Sequence, residues 1–183
     1  MRTSVAAVLA ALLVMTTASL PAQQSPYAPH AQREIKALSA EEVAGYLAGE
    51  GMGMALAAEL NAYPGPKHVL ELADSLALTE AQRAETQAVF DRMKTHAVRL
   101  GHEIVERERR LDRLFASGEI TKETLEALVT EIGVLTAELR YAHLGAHLAV
   151  KRLLTAEQAT RYDALRGYGE HREGEYGHRE HRP

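Results

Sequence analysis

Leu78-Thr79-Glu80-Ala81-Gln82 and Leu154-Thr155-Ala156-Glu157-Gln158 are one pattern written twice in a chain of 183 residues. In each copy the threonine hydroxyl is placed to accept the amide of the glutamine three positions on, and the glutamine side chain to reach back to the threonine amide. That is a capping box, the local signature of a helix start. A hydrophobic staple does not explain the leucines, because the fourth helical position is Arg83 in one copy and Ala159 in the other. Leu78 and Leu154 are expected instead to close the ends of a helical core.

From Thr79 outward the sequence predicts a helix over 80–116. Val89, Met93, Ala97, Leu100, Ile104, Leu111 and Phe115 recur along it at spacings of three, four or seven, the stripe of a helix that packs along its length. Gly118 supplies the left-handed residue that ends helices. Thr121 then caps a second long helix, whose stripe runs through Leu125, Leu128, Ile132, Leu135, Leu139, Ala142, Ala146, Val150 and Leu153. Helices of roughly 35 residues at 1.5 Å per residue are each about 50 Å long. The fold class is therefore all-α, a long antiparallel helical hairpin with short flanking helices. Thr155 opens a last short helix ending near Arg166 and Gly167, and no proline interrupts residues 67–182.

Composition agrees with a core packed from aliphatic side chains. The chain is 46% hydrophobic, with no cysteine, no tryptophan and two phenylalanines, which excludes disulfide scaffolds, zinc ribbons and thiol catalysis. A net charge of −4 without a basic block argues against nucleic acid as a partner. No nucleophile elbow, phosphate loop or paired Glu-x-x-His motif is present, so no enzyme is expected.

The flanks divide by composition. Arg2, the apolar run 5–15 and the small residues that follow have the layout of a secretory signal peptide over 1–22, cleaved after Ala22 or, failing that, after Ala18. The run is short for a membrane span, which needs about 20 apolar residues, so an uncleaved anchor is the lesser reading. Export without cysteine points to a periplasm. Residues 23–38 read as a flexible leader and 39–66 as short helices, the first capped by Ser39 and Glu42 and the second over 52–61. Residues 67–168 form the hairpin domain, beginning with a short amphipathic piece over 67–76, and 169–183 a disordered histidine-rich tail.

An exported, cysteine-free helical chain with two Leu-Thr-x-x-Gln motifs resembles the Spy/CpxP family of periplasmic proteins over about residues 67–168. The resemblance implies a curved hairpin that dimerises into a cradle and acts as an ATP-independent chaperone or envelope-stress modulator. Its partners would be unfolded or stressed envelope proteins and a membrane-bound sensor or regulator. Related zinc-resistance-associated and nickel- or cobalt-sensing proteins bind metal through histidines.

Histidine placement is the main chemical clue. His143 and His147 stand at i, i+4 on one helical face, a spacing that lets two imidazoles reach one metal ion, although Leu144 replaces the glutamate that a zinc protease needs. Folding the hairpin about Gly118 brings His96 and Asp91 to the same level, so His96, His143, His147 and Asp91 form a candidate site for zinc, nickel, cobalt or copper. The same four residues also suit side chains that flank a core stripe. No cofactor is required. In the tail, His171, His178 and His181 are candidates for weak metal capture or for simple titration near neutral pH, and His102 is expected to face water. Arg107, Arg109, Arg110 and Arg113 lie in a mixed-charge stretch that reads either as ion pairs on a solvated face or as a basic rim attracting acidic clients. Met52 and Met54 read as an apolar cap rather than copper ligands. Gly101 and Gly133, at similar heights in the hairpin, suggest close approach of the two long helices or helix curvature.

Overall fold

Side-chain caps set where the helices begin. The computed structural model describes residues 25–168, which form α1 (Ala40–Ala48), α2 (Leu56–Glu59), α3 (Pro66–Glu71), α4 (Glu80–Ser117), α5 (Lys122–Leu153) and α6 (Ala156–Leu165), after a 3-10 turn at Ala28–Gln32. No strand occurs among the described residues. Ser39, Thr79, Thr121 and Thr155 each close a capping box, whereas α3 starts on a proline in its first turn. Gly118 ends α4 in the left-handed conformation, φ 73°, and three further residues lead into α5.

The expected helix over 52–61 contracts to the single turn of α2. Met52 (φ 41°), Gly53 (φ 80°) and Ala62 (φ 63°) take left-handed backbone on either side of it, which no continuous helix allows. The piece expected over 67–76 likewise ends at Glu71, with turns up to Ala77 (φ 50°). The signal peptide and the histidine-rich tail lie outside the described residues.

Two apolar clusters fill the hairpin. At its open end Val89 of α4 and Ala146, Val150 and Leu154 of α5 and its cap meet Val69, Leu76 and Tyr162, with Leu78 packed against them. The leucines of both motifs thus close this core, as the sequence suggested. Halfway along, Ala97, Leu100, Ile104, Leu135 and Leu139 are covered by Tyr46 and Met54. Each fully buried leucine or isoleucine here contributes about 2 kcal/mol. The apolar stripe is therefore covered, in this half, by the chain's own N-terminal segment, with α1 and α3 on α4 and α2 on α5.

Gly101 makes that packing possible. A Cβ there would sit 1.9 Å from the Tyr46 carbonyl oxygen, while one on Gly133 would meet nothing within 4 Å. The close approach is between α1 and α4, not between the two long helices. Residues 33–38, expected within a flexible leader, also dock. Ile35 is buried, Lys36 pairs with Asp112 at 3.1 Å and Glu34 with Arg109 at 2.8 Å. Beyond these anchors the cover stops. Phe115, expected in the core stripe, is 57% exposed, because among the described residues the docked segment 33–38 reaches only as far as Arg109 and Asp112.

Candidate functional site

The two motifs meet at the open end of the hairpin. Gln82 accepts the Thr79 amide at 3.0 Å and Gln158 the Thr155 amide at 2.9 Å, completing their own caps. Each glutamine also has an amide group to donate, and the fold gives both to the opposite strand of the hairpin. Gln82 Nε2 donates to the Leu153 carbonyl at 2.7 Å and to Gln158 Oε1 at 2.8 Å. Gln158 Nε2 donates to the Leu76 carbonyl at 3.3 Å and to Gln82 Oε1 at 3.1 Å. The motif is a clasp made of two caps that share their glutamines. Gln82→Ala and Gln158→Ala are each expected to cost about 2 kcal/mol, a lost cap plus lost partly buried hydrogen bonds. In urea denaturation the double variant should lose at least about 1 kcal/mol less than the sum of the singles, the mark of a direct pair; strict additivity would mean two independent caps.

Next to the clasp, a cleft of about 380 Å³ separates residues 49–68 from α4 and α5. Its apolar walls include Leu56, Phe90 and Met93, and its polar groups include Glu59, His68, Lys94, His143 and His147. Glu59 is 6% exposed. Its Oε1 accepts the Tyr162 hydroxyl at 2.6 Å and the Tyr168 hydroxyl at 3.1 Å, with Arg166 Nε at 3.5 Å. Its Oε2 and His143 Nε2 are buried with no hydrogen-bond partner.

His147 Nδ1 stands 2.6 Å from the Tyr63 carbonyl, which can only accept, so Nδ1 carries a proton. Gly65 leaves room for this ring: a Cβ there would lie 3.0 Å from Nε2 and 3.5 Å from Glu59 Oε2. Burial, and after it the neighbouring His147 and Lys94, hold His143 below the usual histidine pKa. Burial and then the Arg166 cation do the same to His68. The Tyr162 phenol is pushed far above its usual range by burial and its bond to Glu59.

The four-residue metal set of the sequence does not assemble. His143 and His147 are buried in the cleft wall, whereas His96 and Asp91 are exposed and line a shallow depression with Arg92 and Arg99. Level in the hairpin fixes height but not azimuth, and His96 lies about 100° around α4 from the core residue Ala97. Among the described residues no three His, Cys, Asp or Glu side chains are grouped to hold a metal ion. His102 faces solvent as expected, and His171, His178 and His181 lie outside the described residues. Met54 caps the middle core. Sequence reasoning missed Glu59, His68 and the pairing of the glutamines. The only local signal for Glu59 was a carboxylate inside an otherwise apolar turn.

The arginine stretch divides. Arg107 pairs with Glu103 and Glu131 and Arg109 with Glu34 and Glu106, so both are held within the chain. Arg110 and Arg113 are exposed and make no ion pair among the described residues.

No helix among the described residues is long and apolar enough to cross a membrane. Comparison with curated proteins and with solved structures gives no match. The family model described as LTXXQ motif family protein does match, over residues 66–166, more than half of the chain and the span that holds both arms of the clasp. With its paired Leu-Thr-x-x-Gln motifs, the chain belongs to the LTXXQ motif family, the periplasmic proteins of Spy/CpxP type.

Proposed function

We propose that the protein, exported and freed of its signal peptide, is an ATP-independent chaperone that holds partly unfolded envelope proteins. The observation that carries this reading is the apolar surface at the turn end of the hairpin, where, among the described residues, Phe115 stands 57% exposed and Leu111 and Leu125 are half-buried. Arg110 and Arg113 beside them are unpaired among the described residues. Exposed apolar side chains beside free guanidinium groups suit an unfolded acidic client, drawn in by charge and held by apolar contact. Arg107 and Arg109 then position the helix through their pairs rather than meeting the client.

A second reading, metal handling with a membrane-bound partner, is favoured by His147, which lines one cleft with His143 and Glu59 and has its Nδ1 3.7 Å from Glu59 Oε2. Two imidazoles fall short of the three protein ligands of an ordinary zinc site, and no third described side chain is grouped with them, so this reading draws its further ligands from the histidines of the tail. One assay separates the two. Aggregation of a chemically denatured client, followed by light scattering, should be suppressed equally with and without chelator, and Phe115→Asp should raise the concentration needed for half-protection at least fivefold. Protection that ignores Phe115→Asp sinks the first reading. Protection that appears only with added zinc and is lost in His143→Ala establishes the second.

A further inference from the structure

The cleft between residues 49–68 and the long helices carries polar groups that the fold leaves unmatched. Glu59 and His143 are each 6% exposed, yet Glu59 Oε2 and His143 Nε2 make no hydrogen bond, a deficit that burial makes costly. Lys94 is half-buried on the same lining and forms no ion pair among the described residues, whereas Lys67 meets Glu71. Glu50, the other carboxylate of the lining, is exposed. The cleft thus holds a spare acceptor and a spare cation.

These two groups stand at different levels. Glu59 Oε2 lies 3.7 Å from His147 Nδ1, and Lys94 neighbours His143, one turn of α5 away, about 6 Å. Donor and anion of a ligand would therefore sit at opposite ends of a body roughly one ring long. Leu56, Phe90 and Met93 make the walls apolar, and a phenyl ring and a thioether both pack well on an aromatic ring. The geometry points to a binding site for a small aromatic hydroxy acid, its carboxylate on Lys94, its ring against Phe90 and Met93, and its hydroxyl donating to Glu59 Oε2. A volume of about 380 Å³ falls near the lower end of small-molecule sites, which suits a single ring. An amine in place of the hydroxyl would bring a second cation to a carboxylate that Arg166 already faces at 3.5 Å, so the donor is a neutral group. Oε2 is covered in the free protein, and seating the hydroxyl requires a small movement of α2, a single turn, of the kind common on binding. Phe115 is about 30 Å from Lys94 along α4, so this site is independent of what the turn end of the hairpin holds.

The probe is 4-hydroxybenzoate, titrated in the presence of EDTA into the full chain with isotope-labelled methionine methyl groups. Binding should saturate with a dissociation constant of about 0.1–1 mM, as for a fragment of roughly ten heavy atoms. It should shift the methyl signal of Met93, which lines the cleft. 4-Fluorobenzoate, which lacks the donor, and phenol, which lacks the charge, should each bind at least about fivefold more weakly. Lys94→Met should bring 4-hydroxybenzoate down to the affinity of phenol while circular dichroism stays unchanged; should that variant not fold, the comparison of the three probes decides alone. No saturation below roughly 20 mM, equal affinity for 4-fluorobenzoate, a folded Lys94→Met that binds as tightly as the parent, or binding that appears only with added zinc would overturn the proposal.

Discussion

Replacing Gly101 by alanine lowers the stability by about 3 kcal/mol, the upper part of the range for forced overpacking. The added Cβ would fall 1.9 Å from the Tyr46 carbonyl oxygen, and that atom is backbone, so no side-chain rotation relieves it. α1 must lift off α4 and uncover Ala97, Leu100 and Ile104. The control is Gly133→Ala on α5, where a Cβ meets nothing within 4 Å. There the better helix propensity of alanine should add up to about 1 kcal/mol. Chemical denaturation of the two variants should thus move in opposite directions. Equal, small effects would mean that α1 is not seated on α4.

Glu59→Ala is expected to cost about 4 kcal/mol, as for a buried polar cluster that loses its central acceptor. The Tyr162 hydroxyl, on a fully buried ring, would be left without the carboxylate it meets at 2.6 Å, and Arg166 would lose its counter-ion. Glu59→Gln keeps one acceptor oxygen and should cost less than half as much. Tyr162→Phe should cost about 1 kcal/mol, in the range of a single hydrogen bond, and its effect should shrink further in the Glu59→Ala background. Thermal melts of the parent and the four variants read this order directly. An alanine variant as stable as the parent would show that α2 contributes nothing to holding the cleft.

What was legible in the sequence was whatever chemistry is local. Ser39, Thr79, Thr121 and Thr155 announce helix starts within four residues of themselves, and Gly118 announces an end, so the hairpin and its register followed from short-range rules. The candidate site did not. Counting from Gly118 addressed only the height of His96, and the buried Ala97 next to it already fixed His96 on another side of α4. Glu59 finds its partners in Tyr162 and Tyr168, more than 100 residues on, where no periodicity points. The glutamines were hidden differently: the capping box accounted for each of them completely, leaving no unexplained residue to prompt a search for a second partner.

The clasp of Gln82 and Gln158 bears on the order of events in folding. α4 and α5 can zip together from the Gly118 turn through contacts that are close in sequence at first, which lowers the entropic cost of each later one. The glutamines stand at the far end of that zipper and meet only when both helices are already side by side. Bonds formed so late are absent from the transition state, so they act on the rate of opening rather than the rate of closing. The motif that marks the family is in this sense a latch, setting how long the folded hairpin lasts once it has formed.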